Sequence, residues 1–116
     1  MNSSPVTTHV LDLASGRPAA GIEVAIEALI SSGRWQTLAR GKTGADGRIA
    51  RFTPSGFKIK RGSYRLLYKT GPYFRARKSR TFYPEIPVVF SVHDPGEHYH
   101  VPLLLSPFGY STYRGS

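Results

Sequence analysis

Residues 22–27 read Ile-Glu-Val-Ala-Ile-Glu, and this stretch carries the clearest structural signal in the chain. The apolar residues Ile22, Val24 and Ile26 occupy every second position. Successive side chains of a β-strand point to opposite faces of a sheet, so these three residues share one face. The alternation predicts a strand that buries one face against a core and leaves the other face polar.

Further segments of strand length lie on both sides of this stretch, separated by turns. The chain contains 12 Gly and 9 Pro, which punctuate short strands more readily than long helices. Residues 72–80 are predicted to form one short helix, because Pro72 is tolerated in a first helical turn. The predicted strands cover residues 6–13, 22–27, 35–42, 48–52, 64–69, 88–92 and 98–105 and a tail from Phe108. About eight short strands indicate an all-β sandwich or barrel. The 116 residues fit a single domain, residues 1–116.

The bulk composition restricts the chemistry and the compartment. Hydrophobic residues make up 40% of the chain, and no apolar run approaches the ~18 residues of a membrane span. The absence of cysteine excludes disulfides, thiol nucleophiles and Cys-ligated zinc. The first five residues lack the basic and apolar regions of a signal peptide. We therefore expect a cytoplasmic protein with no membrane partner.

The net charge of +9, from 16 Lys and Arg against 7 Asp and Glu, attracts anions such as nucleic acid, phosphates or a small acidic substrate. Basic residues lie among aromatic ones at residues 57–64 and 73–80, a pattern that can hold single-stranded nucleic acid. No RNA-binding signature accompanies them. We therefore expect a solvated basic face and no nucleic-acid partner.

Histidine and arginine are the remaining carriers of chemistry. The carboxylates are scattered, and the chain has neither a Gly-rich phosphate loop nor a Gly-x-Ser-x-Gly motif. His98 and His100 lie two residues apart on a predicted strand, so both imidazoles point to one face. Three interpretations stay open: partly exposed polar residues, an acid–base pair that titrates near neutral pH, or half of a zinc site completed by His9 or His93.

Blocks along the chain resemble the signatures of one family, the 5-hydroxyisourate hydrolases of the transthyretin-like proteins. The matching blocks are THVLD at residues 8–12, SGRPA at 15–19, ADGR at 45–48, FYPE at 82–85, HYHVPLLLSP at 98–107 and YRGS at 113–116. The resemblance runs from about residue 7 to residue 116, nearly the whole chain. Several blocks in the right order are more specific than one short motif.

The resemblance implies a transthyretin-like sandwich of two four-stranded sheets with one short helix. It implies a homotetramer whose active sites lie in a channel at the dimer–dimer interface, and no metal or organic cofactor. The implied reaction is hydrolysis of the small-molecule substrate 5-hydroxyisourate to 2-oxo-4-hydroxy-4-carboxy-5-ureidoimidazoline in urate degradation. Hormone-carrying transthyretins share the fold, but they carry Lys at the position of His9, Glu at that of Arg48, and no terminal Tyr-Arg-Gly-Ser.

The resemblance and the side-chain chemistry together assign catalytic roles. We expect His9, His98 and His100 to position and deprotonate a water molecule and to return a proton to the leaving nitrogen. Arg48 offers a planar fork of donors, so it should bind the substrate and the charge that develops on its oxygen. His9 and Arg48 are expected to bind the substrate as well as to act on it.

The terminal tetrapeptide is expected to form part of the same site. Tyr113 would donate a hydrogen bond to the substrate and close the channel. Arg114 would contribute to substrate binding and anchor the tail by a charge-assisted bond. Ser116 would bring a hydroxyl and the terminal carboxylate, either of which can orient a histidine. The alternative for this tail is a plain edge strand, where Tyr and Thr are favoured.

Overall fold

The computed structural model describes residues 4–116 as two β-sheets around a shared core, with one short helix among those residues. The elements are β1 (Val6–Asp12), β2 (Arg17–Pro18), β3 (Glu23–Leu29), β4 (Trp35–Lys42), β5 (Arg48–Ile49), β6 (Gly62–Lys69), α1 (Thr70–Ala76), β7 (Ile86–Val92), β8 (Tyr99–Ser106) and β9 (Gly109–Thr112). The first sheet has the order β2-β1-β8-β9, with β5 also paired to β1. The second has the order β4-β3-β6-β7.

The prediction of an all-β sandwich with one short helix is confirmed, and the first sheet has five strands where four were expected. β2 and β5 are two residues long, and both pair antiparallel with β1. β8 pairs with β1 along its whole length, so β2 and β5 share the other edge of β1. β2 is the strand that the sequence does not predict, because two residues contain too little alternation to mark it. β5 is the shortened form of the strand predicted at residues 48–52.

The sequence predicts neither a signal peptide nor a membrane-spanning segment. Residues 1–3, part of the segment that lacks signal-peptide features, lie outside the described residues. Within residues 4–116, the helix has seven residues, and no helix there is long and apolar enough to cross a membrane.

The outer face of the first sheet is where the candidate histidines lie. Side chains on β1 alternate between buried and half-buried positions, so Thr7, His9 and Leu11 share the outer face. On β8, His100 and Leu104 are half-buried and lie opposite Thr7 and Leu11. The side chains that point the other way, such as those of the fully buried Val10 and Leu103, fill the core.

The strand that carries the alternating signal, β3, departs from a simple half-buried pattern. A β-bulge between Ile26 and Glu27 shifts its register with β4, and Glu27 is buried although it belongs to the expected polar face. The carboxylate of Glu27 accepts a bond from Arg65 Nε at 2.6 Å and from the Thr37 hydroxyl at 3.1 Å. Because both of its oxygens have donors, the charge is tolerated in the middle of the sheet.

The helix covers Thr70–Ala76, so it overlaps the helix predicted at residues 72–80 but begins two residues earlier and ends four residues earlier. The chain leaves it through a Schellman motif, in which the residue after the C-cap adopts a left-handed backbone. Lys78 holds that place with a φ of 56°, and the N–H of Ser79 donates to the carbonyl of Phe74. Since glycine usually fills this place, a lysine there gives no sequence signal that the helix ends.

Asp12, at the end of β1, ties the first sheet to the helix. Its buried carboxylate accepts bonds from the Tyr73 hydroxyl at 2.7 Å and from the backbone N–H groups of Ala14 and Ser15 at 2.8 and 3.2 Å. Burial, followed by the neighbouring Asp12 carboxylate, raises the pKa of Tyr73 to about 12. The phenol therefore remains a hydrogen-bond donor across the physiological pH range.

Tyr73→Phe is expected to lower the free energy of unfolding by about 1–2 kcal/mol, because the Asp12 carboxylate keeps its two backbone donors. Asp12→Ala should cost more, about 2–4 kcal/mol, since it leaves the Tyr73 hydroxyl and two backbone N–H groups without an acceptor. Urea denaturation measures both losses, with Tyr110→Phe at an exposed tyrosine as the control. Equal losses in the two variants would contradict the central role of the carboxylate.

Candidate active site

A cleft of about 220 Å³ opens where β1, β5, the start of β8 and the C-terminal tail approach one another. Its lining consists of Thr7, Thr8, Arg48, Ile49, Ala50, His98, His100 and Ser116. Four of the residues predicted to carry chemistry, Arg48, His98, His100 and Ser116, therefore meet in one place. They come from three separate parts of the sequence, so the fold itself assembles the cluster.

The hydroxyl of Thr7 joins the two histidines of the cleft. Thr7 Oγ1 lies 2.9 Å from His98 Nε2 and 2.8 Å from His100 Nδ1. The two imidazoles thus share one side of the sheet, as their spacing in the sequence predicts. Thr7 itself is absent from the sequence-based prediction. Its place opposite His100 follows from the parallel pairing of β1 with β8, which brings together residues 93 positions apart.

His9 lies at the edge of the same cluster. It is paired with Arg48 across β1 and β5 and with Pro102 across β1 and β8. The residues that line the cleft do not include His9, but its charge is close enough to influence the ionisation of His100. The structure therefore places His9 beside the cleft, on the strand that also carries Thr7.

The environment of His100 favours its neutral form. Burial is the largest cause and lowers the pKa of His100 below its ordinary value of 6.5. The charges of Arg48, His98 and His9 lower it further, and a hydrogen bond to the Thr7 backbone partly opposes them. A neutral imidazole in a cleft beside a permanent cation can accept a proton at neutral pH.

The tail continues along β8 beyond the end of β9. The N–H of Gly115 donates to the carbonyl of His100 at 2.8 Å, in the register in which Thr112 faces Leu103. This pairing delivers Ser116 to the cleft. The tail is therefore both an edge strand and docked on the cleft. The edge pairing with β8 brings Ser116 close to His98 and His100.

Tyr113 and Arg114 lie outside the lining of this cleft. Both line a larger cavity of about 470 Å³ between β7 and β9, which also reaches His100. Arg114 donates to the Glu97 carboxylate at 2.9 Å and to the His98 carbonyl at 3.1 Å, and its guanidinium lies 4.5 Å from the centre of the Tyr99 ring. These contacts fix the backbone around His98. The Tyr113 side chain is exposed.

His93 lies outside the cleft that His98 and His100 line. It lines the larger cavity, and its carbonyl accepts a bond from Arg61 Nε. Among residues 4–116, no three His, Cys, Asp or Glu side chains are arranged to hold a metal ion together. The zinc interpretation of His98 and His100 therefore lacks a third ligand in the part of the chain that the structure describes.

Comparison with known proteins gives the family. A family model described as the HIUase/Transthyretin family matches residues 6–115. The chain belongs to this family. Among curated proteins, the 5-hydroxyisourate hydrolase of Salmonella typhi is 49% identical over 114 residues, which cover 98% of this chain and 82% of that protein.

Two solved structures show how the backbone compares within the HIUase/Transthyretin family. Sea bream transthyretin in complex with thyroxine superposes with a TM-score of 0.89 at 32% identity, over 97% of this chain and 95% of the other. The 5-hydroxyisourate hydrolase of Klebsiella pneumoniae gives 0.82 at 36% identity, over 96% and 98%. Both confirm the transthyretin-like sandwich. The backbone is more similar to that of the sea bream transthyretin, and the sequence is more similar to that of the hydrolase, so the backbone alone does not distinguish the two proteins.

Gly115→Ala is expected to disturb His100, because an added Cβ would lie 2.6 Å from His100 Cδ2 and 3.1 Å from Pro102 Cγ. We expect a loss of about 1–3 kcal/mol in unfolding free energy and a displaced imidazole. Gly109→Ala on β9 is the matched control, since its added Cβ meets only ordinary contacts. Proton–carbon NMR of the His100 ring measures the effect, and an unchanged ring signal in Gly115→Ala would show that the close packing is not maintained in solution.

Proposed function

We propose that this chain is a 5-hydroxyisourate hydrolase that acts in urate degradation. The convergence of Arg48, His98 and His100 in one cleft, with His9 beside them, carries this proposal. The Salmonella typhi and Klebsiella pneumoniae proteins that bear this name are similar to the chain over nearly its whole length. The product is 2-oxo-4-hydroxy-4-carboxy-5-ureidoimidazoline, and no metal or organic cofactor takes part.

The proposed reaction is the addition of water to a ring carbonyl, followed by cleavage of the adjacent C–N bond. His100 accepts the proton of the water, because its lowered pKa keeps the imidazole neutral. The new C–O bond places negative charge on the carbonyl oxygen, and the Arg48 guanidinium in the same cleft stabilises that charge. When the C–N bond breaks, the leaving nitrogen takes a proton back from the histidine pair. His9, paired with Arg48, helps to hold the substrate and the water.

Ligand carriage is the alternative that the fold permits, because the transthyretin of sea bream superposes closely and holds thyroxine. The side chains favour hydrolysis. A carrier needs a cavity with an apolar lining and few polar groups. The cleft instead collects two histidines, an arginine and the hydroxyl of Thr7. Such a concentration of proton donors and acceptors suits the transfer of protons better than the retention of an apolar ring.

A homotetramer, with its sites at the dimer–dimer interface, accounts for the apolar surface of the single chain. The large side chains that remain exposed include Leu13, Phe82, Val89, Phe108 and Tyr113. A surface rich in exposed apolar groups is typical of an interface between subunits. In this assembly Tyr113 closes the channel over the cleft, and Arg114 holds the tail in place and contributes to substrate binding. Ser116 orients one of the histidines.

His9→Ala, His98→Ala and His100→Ala are each expected to lower kcat by about 10²–10⁴-fold, the range for a general acid–base group. His93→Ala is the matched control and should retain the wild-type rate, because His93 lies outside the cleft. The assay follows freshly generated 5-hydroxyisourate, corrected for its spontaneous decay, and gel filtration reports the tetramer. Wild-type rates in the His9 and His98 variants would overturn the assignment.

Arg48 should affect both the rate and its pH dependence. Arg48→Gln removes a positive charge that lowers the pKa of His100, so that pKa rises towards 6.5 and the acid side of the kcat/KM profile moves to higher pH. Arg48→Lys keeps the charge but loses the planar fork, so kcat/KM falls by about tenfold or more while the acid side stays in place.

Arg40→Gln, on the exposed surface of β4 in the other sheet, is the control for the loss of one positive charge. Its pH profile should match that of the wild type. Full activity in Arg48→Lys would show that Arg48 is a surface residue without a catalytic role. If the acid side of the pH profile were the same in Arg48→Gln and the wild type, Arg48 would not influence the pKa of the catalytic base.

A further inference from the structure

We infer that Thr7 is a positioning residue whose hydroxyl couples His98 and His100 into one proton-relaying pair. The inference rests on the proposed function and deepens it, because it states how a proton taken from water reaches the second histidine. The observation behind it is the double hydrogen bond of Thr7 Oγ1, at 2.9 Å to His98 Nε2 and 2.8 Å to His100 Nδ1.

The single proton of a hydroxyl imposes a rule on the two rings. Thr7 can donate to only one ring nitrogen, and the other nitrogen must then donate to Thr7. If Thr7 donates to His98 Nε2, His100 carries its proton on Nδ1 and its Nε2 is free to act as a base. If Thr7 donates to His100 Nδ1, His98 carries a proton on Nε2. The tautomer of one histidine therefore sets the tautomer of the other.

This arrangement gives a balanced path for the proton. His100 Nε2 takes a proton from water as the water oxygen bonds to the substrate carbon. The Nδ1 proton of His100 then moves to Thr7 Oγ1, and the Thr7 proton moves to His98 Nε2. His100 ends neutral with its proton on Nε2, and His98 ends as the cation. No atom outside the triad and the water is needed, and the proton on His98 is available for the leaving nitrogen.

The surroundings give the relay a direction. His100 is half-buried and faces the Arg48 guanidinium from β5, His9 from β1, His98 from the segment before β8 and Ser116 from the tail. Burial and the nearby cations make a positive charge on His100 unfavourable. His98 is exposed, so water can stabilise a charge there. Transfer through Thr7 moves the positive charge from the half-buried ring of His100 to the exposed ring of His98.

The backbone holds the hydroxyl in place from both sides. Thr7 and His100 are direct partners in the parallel pairing of β1 and β8, and the His98 carbonyl is bound by Arg114. A β-branched side chain has few rotamers, so little freedom is lost when Thr7 makes both bonds. The neighbouring Thr8 shows the contrast: it points inward and donates to the Val101 carbonyl in the core, where its role is structural.

Thr7→Val and Thr7→Ser separate the relay from mere packing. Valine keeps the shape and removes the hydroxyl, so we expect kcat to fall about tenfold to a hundredfold with little change in KM, and the acid side of the pH profile to shift. Serine keeps the hydroxyl and should restore most of kcat. In a His98→Ala background, Thr7→Val should have little further effect on kcat, since the relay is already broken.

Nitrogen-15 NMR of the histidine rings tests the coupling without any substrate. In the wild type, titration of His98 should change the tautomer signals of His100, and Thr7→Val should abolish that dependence while Thr7→Ser keeps it. Independent tautomers in the wild type, or an unaltered kcat and pH profile in Thr7→Val, would overturn the inference. A wild-type protein inactive on 5-hydroxyisourate would refute the proposed function alone, and the ring signals would still decide whether Thr7 couples the pair.

Discussion

β1 and β8 run parallel across seven residue pairs, and the positions of all the candidate catalytic groups depend on this register. It sets Thr7 opposite His100 and His9 opposite Pro102. The free edge of β1 accepts β5 and so brings Arg48 to His9, while the far edge of β8 accepts the tail. A shift of one residue would turn every β1 side chain to the opposite face. The cluster would be lost even if each strand still formed.

The electrostatics of the cleft follow from this geometry. A permanent cation, Arg48, lies near a half-buried histidine, and no carboxylate side chain is among the residues that line the cleft. The pKa of His100 is lowered in consequence, first by burial and then by the positive neighbours. A neutral imidazole and a permanent cation thus occupy the same small volume, an arrangement that can supply a base and stabilise a developing negative charge.

Patterns of local origin could be predicted from the sequence, and arrangements of long-range origin could not. The two-residue period marks the longer strands, and the same period places His98 and His100 on one side of a sheet. Thr7 carries no such mark, because its partners lie more than 90 positions away and only the parallel pairing brings them within hydrogen-bond distance. The sequence does not mark the end of α1 either. Lys78 adopts the left-handed backbone conformation there, and glycine is the residue that usually occupies this conformation at the end of a helix. The resemblance supplied His9, Arg48 and the tail, and the fold explains why Arg48 and Ser116 reach the same cleft.

The most direct test of the account is the decay of freshly generated 5-hydroxyisourate, followed by ultraviolet absorbance in the presence and absence of the wild-type protein. If the cleft assembled by β1 and β8 is a hydrolytic site, the protein must accelerate the decay in a saturable way, in proportion to its concentration. A decay that proceeds at the spontaneous rate at every protein concentration would contradict the account and would leave the chain as a binding member of its family.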